Sequence, residues 1–217
     1  ETIDDDTWPF MACGSVQVQG VKGRLFRISF SGEHAYELAV PSRYGDSLFR
    51  LLVARAEGLG GGAYGMEALN VLRIEKGFIT HSEIDGRVTA QDIGMARMLS
   101  QKKDFIGATM AQRPGFTEDG RAQLVGLKPI GPVKQLTAGA HIYVDGAEPV
   151  AEHDQGYITS LGFSPTLGHF VGLGFVTDGL SRHGDVLTMV DHVRGIQTRV
   201  ELCDPVFFDQ KGDRTRG

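Results

Sequence analysis

The sequence predicts an α+β fold whose character changes part-way along the 217-residue chain. Three observations carry this expectation. Helical spacing of apolar residues is confined to the first half, and short β-rich runs fill the second. Between them, Arg113-Pro-Gly-Phe-Thr-Glu-Asp-Gly120 has the composition of a linker. A boundary near residue 118 therefore separates an α+β segment, 1–118, from a β-rich segment, 119–217.

Taken in order, Trp8-Pro9-Phe10-Met11 is an aromatic and apolar anchor of core type. Val16-Gln-Val18 and Val21 suggest a strand that turns at Gly20 or Gly23. The stretch from Arg24 to Val40 then organises the first half. Apolar residues alternate at Phe26, Ile28 and Phe30, the polar turn Ser31-Gly-Glu-His34 follows, and Tyr36–Val40 is again β-rich. This pattern predicts a hairpin or sharply turned strand pair over Leu25–Phe30 and Tyr36–Val40. Glu37 lies among Ala35, Tyr36, Leu38 and Val40. Buried there, its carboxylate needs a hydrogen-bond donor or a ligand; on an edge strand it faces outward.

Pro41-Ser42 predicts a helix start with Ser42 as N-cap. Leu48, Leu51, Leu52 and Arg55 keep helical spacing, and Gly58 closes the helix. The glycine-dense Gly58–Gly65 follows a helix, not a strand, and lacks a Gly-Lys-Ser/Thr ending, so it reads as a loop and not a phosphate cradle. Met66–Glu75 predicts the next helix, with Leu69, Leu72 and Arg73 on one stripe and Gly77 ending it. Arg73 shares its stripe with leucines. Its stem is expected to be buried and its guanidinium aimed at an internal ion pair or a ligand. Phe78–Arg87 is a polar excursion with a turn at Asp85-Gly86. Thr89–Asp92 reads as a helix N-terminus, and Asp104 as the cap of another short helix. Past the linker, Gln123–Lys128, His141–Val144, Gly156–Ser160, Phe170–Val176, Asp185–Val190 and Thr198–Glu201 predict an antiparallel barrel or sandwich.

A formal net charge of −5 argues against a nucleic-acid or anionic-membrane surface. No run approaches the roughly 20 apolar residues of a membrane span, and no signal peptide opens the chain. Cys13 and Cys203 form neither a disulfide framework nor a ligand pattern, which favours a reducing, cytoplasmic setting. The histidines show no metal-ligand spacing and there is no Gly-x-Ser-x-Gly elbow, so neither a metal site nor a serine hydrolase is expected. Glu1 is not an initiator residue, and the chain reads as a cut from a longer polypeptide.

Several motifs in register resemble one family. Ile28-Ser-Phe-Ser-Gly-Glu-His-Ala-Tyr-Glu-Leu38 resembles the Tyr-Thr-Gly-Glu-x-Gly-Tyr/Phe-Glu segment of the glycine-cleavage aminomethyltransferases. Leu72-Arg-Ile-Glu-Lys-Gly-Phe78 resembles their Leu-Arg-Leu-Glu-x-Gly helix end, and Thr89 to Gly94 and Asp104-Phe-Ile-Gly107 match later signatures. Gly156-Tyr-Ile-Thr-Ser160 with Ser164-Pro-Thr-Leu-Gly168 resembles the Gly-x-Val-Thr-Ser…Ser-Pro element of the family's C-terminal barrel. Within the family, the Arg27–Glu33, Glu75–Phe78 and Lys102–Gly107 runs are most similar to the C-terminal region of heterotetrameric sarcosine oxidase alpha subunits.

The resemblance spans Trp8 to about Phe207. It implies the C-terminal part of an aminomethyltransferase-like folate-binding domain followed by a small antiparallel β-barrel. It further implies tetrahydrofolate as cofactor, with Glu37 hydrogen-bonding the pterin, Arg73 at the same site, and Tyr36 and Phe30 as apolar walls. A carboxylate suits an aminopyrimidinone edge because it accepts two parallel N–H bonds. Phe30 stands where aminomethyltransferases usually carry Tyr, so a hydroxyl contact is lost. The family's catalytic aspartate lies upstream of Glu1, so no catalytic residue is expected in this chain, and the chain alone is expected to be inactive. Flavin and NAD are expected only in absent regions or other subunits. The implied role is capture of the one-carbon unit of sarcosine as 5,10-methylenetetrahydrofolate. The alternatives are a free-standing aminomethyltransferase or demethylase, and a vestigial folate fold serving subunit assembly. The implied partners are the other oxidase subunits and folate. A half-domain exposing a strand edge and an apolar face also suggests a homodimer.

Overall fold

The computed structural model describes residues 3–216; Glu1, on which the expectation of a longer polypeptide rests, lies outside them. The chain divides into two compact units. One runs up to Arg73 and takes in the residues from Asp209 onward; the other is Ile74–Phe208.

The first unit holds a three-stranded antiparallel sheet of β1 (Cys13–Val18), β2 (Val21–Phe26) and β3 (Glu37–Ala39), in that order. Val18 pairs with Val21, and the two residues between them, Gln19 and Gly20, have φ of 47° and 81°. Two positive φ values in succession give the turn whose twist matches that of the strands it joins. β2 is central and pairs with β3 through Arg24–Ala39 and Phe26–Glu37. The expected strand pair thus forms, with a correction: its first strand stops at Phe26 instead of reaching Phe30. Beyond it the Gly32 N–H donates to Ser29 Oγ (3.0 Å) and the Glu33 N–H to Ser31 Oγ (3.3 Å). Such local bonds compete with a strand ladder.

A single 3₁₀ turn, Ser42–Tyr44, leads into α1 (Gly45–Gly58). Ser42 is not the N-cap of this helix. Tyr44 precedes its first residue and no side chain caps it, because the 3₁₀ turn has already taken Ser42. α1 buries none of its residues, and Phe49 and Leu52 are exposed. The loop over residues 59–65 follows, then α2 (Met66–Glu75), with the expected bounds. Gly77, at φ 66°, stops it in the left-handed conformation that glycine adopts without strain.

In the second unit, Thr89–Asp92 does not open a helix. Thr89 donates its N–H (2.8 Å) and Oγ–H (2.9 Å) to the Asp92 carboxylate, so capping chemistry closes a turn instead. Nor does Asp104 cap the short α3 (Ala108–Ala111), which starts after Gly107; the Asp104 carboxylate takes the N–H of Phe105. The stretch read as a linker contains one further helical turn, α4 (Pro114–Thr117).

All six expected β-rich runs are strands: β4 (Ala122–Ile130), β5 (His141–Val144), β6 (Asp154–Ser164), β7 (His169–Thr177), β8 (Val186–Asp191) and β9 (Ile196–Cys203). They close a barrel in the order β4-β7-β6-β5-β8-β9, every pair antiparallel. Val125, Leu127, Ile142, Ile158, Met189, Val200 and Leu202 fill one core. On the other face of β4 and β7, Leu124, Val171, Leu173 and Phe175 pack with Ile74. Burial on both faces is why 124–127 and 171–176 are continuous apolar runs and do not alternate. The C-terminal residues end in a single helical turn, α5 (Asp213–Arg216), in the first unit. Among the described residues, no helix is long and apolar enough to cross a membrane.

Candidate functional site

The four residues expected at a pterin site, Phe30, Tyr36, Glu37 and Arg73, all belong to the first unit. Glu37 opens the edge strand β3 and its side chain is exposed, so its carboxylate stands ready for a donor from solution. Tyr36 precedes it and is half-buried, while Phe30 is 39% exposed. Arg73 is 3% exposed and its Nε donates to Asn70 Oδ1 at 2.9 Å, one helical turn away. Its stem is buried, as its leucine stripe implies. Glu37, Tyr36 and Phe30 therefore share one short loop-and-strand segment, whereas Arg73 lies on α2, bonded within its own helix to Asn70.

That segment is ordered by a residue the sequence did not single out. Arg27 is fully buried, the bulkiest side chain among the described residues to be so. Its Nη2 donates to His34 Nδ1 (2.9 Å) and its Nη1 to the Ala35 carbonyl (3.3 Å). The guanidinium lies 5.2 Å from the Tyr36 ring centre and 5.9 Å from that of Phe10. Asp5 is the acidic group beside it, at 3.7 Å. Pattern hid Arg27 because in a strand reaching Phe30 it alternates with Phe26 and Ile28 onto the solvent side; the strand ends one residue before it. From the C-terminal residues, Thr215 Oγ donates to the Gly32 carbonyl (2.8 Å) and Arg214 Nε to Glu33 Oε2 (2.8 Å), bracing the same turn.

The second unit has its own polar centres, and they are structural in form. Glu83, 1% exposed, accepts from Thr80 N (2.8 Å), Thr80 Oγ (3.0 Å) and Ser160 Oγ, tying the polar excursion to β6. The sequence marked Ser160 within a motif and passed over Glu83, which sits in a run with no apolar periodicity. Asp92 is bound by Arg121 and Thr89. A cavity of about 430 Å³ on β5, β8 and β9 is lined by Tyr143, Thr188 and Arg199; Arg199 and Thr188 both donate to Asp145 and hold its carboxyl below its usual range. The Cys203 thiol is pushed up to about 12 by burial and by neighbouring Glu201 and Asp204, so it is inert at neutral pH. Among the described residues no group of His, Cys, Asp and Glu could hold a metal ion.

Comparison with known proteins follows this geometry. The GCVT N-terminal domain model matches residues 1–103, and the glycine cleavage T-protein C-terminal barrel domain matches residues 123–209. The chain is 44% identical over 99% of its length to the sarcosine oxidase subunit alpha of Rhizobium meliloti. It spans only 22% of that protein's length. It is 31% identical over 74% of its length to an aminomethyltransferase of Thermosynechococcus vestitus, covering 41% of that protein. The crystal structure of aminomethyltransferase T from Bartonella henselae superposes with a TM-score of 0.77 at 23% identity, over 94% of this chain and 54% of the other. Both halves of one family thus match in order and on the expected architecture, and the chain belongs to the glycine cleavage T-protein family, in the part of it that resembles sarcosine oxidase alpha subunits.

Proposed function

We propose that the chain carries one face of a tetrahydrofolate site within a cytoplasmic sarcosine oxidase. The observation that supports this most is the exposed Glu37 carboxylate at the head of an edge strand, flanked by the Tyr36 ring, at the position where the family resemblance places its pterin-binding glutamate. The donor set suits the group. An exposed carboxylate accepts two parallel N–H bonds from an aminopyrimidinone edge, and Tyr36 and Phe30 offer aromatic surface to a flat ring. Arg73, buried and bonded to Asn70 on α2, is the second polar residue that the family resemblance assigns to this site. Bound tetrahydrofolate would supply the nitrogens that take up the one-carbon unit of sarcosine as 5,10-methylenetetrahydrofolate. Glu37 would orient the pterin, and the aromatic pair would keep water from its face. Proton transfer, flavin and NAD belong, in this reading, to other parts of the enzyme or its other subunits, and the chain alone does not turn over.

Calorimetric titration with tetrahydrofolate tests this. Saturable binding should weaken by about tenfold or more in Glu37→Gln, which loses a charge-assisted bidentate contact. Equal binding by both proteins would remove Glu37 from the site. A second reading, favoured by the absence of any buried residue in α1, is that this fold serves assembly, with the oxidase subunits or a second copy as partner. No folate binding by either protein would leave that reading standing.

A further inference from the structure

Arg27 is an unusual choice for a wholly buried position. A guanidinium stays charged at every accessible pH and can only donate hydrogen bonds, so burial demands compensation. A structural arginine normally meets a carboxylate at hydrogen-bond distance. Here the acidic neighbour, Asp5, stands at 3.7 Å and Nε has no partner at all. What the guanidinium does touch through its Nη atoms and its face is His34, Ala35 and Tyr36, the three residues immediately before Glu37, with the Phe10 ring beyond.

The direction of the hydrogen bonds follows. Because Arg27 Nη2 donates, His34 Nδ1 must accept, and the neutral ring carries its proton on Nε2. His34 Nε2 lies 3.1 Å from the Tyr36 hydroxyl and donates to it. The Tyr36 oxygen is then occupied as an acceptor, and its own hydrogen is directed elsewhere. We propose that Arg27 is a positioning residue: it fixes the His34 tautomer and clamps the Tyr36 ring, so that the Tyr36 hydroxyl accepts from His34 and keeps its own hydrogen for donation to a ligand. Resting on the folate reading above, this gives the segment a hydroxyl donor at Tyr36 in addition to the carboxylate acceptor at Glu37.

The test uses the full chain with two variants, Arg27→Met, which keeps the stem and removes every donor, and Arg27→Lys. Long-range ¹H–¹⁵N spectra of His34 read the tautomer without any ligand. The wild type should show the Nε2–H form. Arg27→Met should show a mixture and shifted Tyr36 ring signals, and Arg27→Lys should recover the Nε2–H form in part. Tetrahydrofolate affinity should fall by about tenfold in Arg27→Met, the scale of two lost hydrogen bonds. An unchanged His34 tautomer in Arg27→Met, with only a lower melting temperature, would overturn the proposal. If Arg27→Met does not fold, Tyr36→Phe decides: it should weaken folate binding severalfold without a matching loss of stability, and unaltered affinity would count against the donor role. Absence of folate binding by the wild type would overturn the folate reading alone, because the tautomer measurement judges Arg27 independently.

Discussion

Asp92 keeps its charge in a nearly closed place because donors surround it. Burial raises its carboxyl, but the hydrogen bonds from Arg121 and Thr89 outweigh burial and hold it below its ordinary 3.8. A folded-state value below the unfolded one stabilises the protein above about pH 3.8, and that contribution is lost as the pH falls through the folded value. Asp92→Asn should therefore cost about 3 kcal/mol at pH 7, the scale for breaking a buried pair. The gap should narrow below the ordinary carboxylate range. Urea midpoints of both proteins at pH 7 and pH 3 check this, and an equally wide gap at both would show that the charge is not its source. Single residues were unevenly legible. Glu37 stood out as a carboxylate in an apolar run, and the structure gives it the exposed, edge-strand position. Arg27 and Glu83 stayed hidden, since nothing in local pattern separates a buried ion from a solvated one.

At the scale of elements, all six barrel strands were located, because turn residues punctuate them and β-branched runs fill them, but β6 and β9 extend well beyond the expected Gly156–Ser160 and Thr198–Glu201. Helix beginnings were read less well. Ser42, Thr89 and Asp104 are all capping residue types, yet Ser42 is taken into a 3₁₀ turn, Thr89 bonds the Asp92 carboxylate to close a turn, and the Asp104 carboxylate takes a neighbouring backbone N–H. One barrel glycine is open to a sharp test. Gly156 has φ 150°, lies where the β5–β6 register slips, and an added Cβ would sit 1.9 Å from the Phe175 carbonyl oxygen. Gly156→Ala should cost roughly 3 kcal/mol, among the larger single-site losses. Gly168→Ala, at φ 72° in open space, should cost only about 1–2 kcal/mol. Denaturation midpoints of the two variants compare them, and equal losses would mean that the carbonyl contact does not matter.

At the scale of the whole chain, the first unit recruits the last residues of the sequence, from Asp209 on, and these brace the turn before Glu37 through Gly32 and Glu33. No local pattern announces a pairing across some 180 positions of sequence. The same unit leaves α1 without a buried residue and Phe49 and Leu52 exposed. Exposed apolar surface of that kind favours association. Light scattering of the chain should show a concentration-dependent dimer that Phe49→Ser shifts towards monomer. A monomer at every concentration would set the homodimer aside.

The sequence by itself determined the α+β class, the bounds of α2, the six barrel strands and the family, because each rests on short-range periodicity, turn chemistry or motifs in register. Only the tertiary structure decided that the six strands close on themselves, since closure depends on β9 returning to β4 and local pattern is the same in a sandwich. It alone decided that β2 stops before Arg27, and so that a charged side chain is buried against the segment leading to Glu37. Burial of an ion is settled by partners brought from elsewhere in the chain, and those partners are not written in the residues beside it.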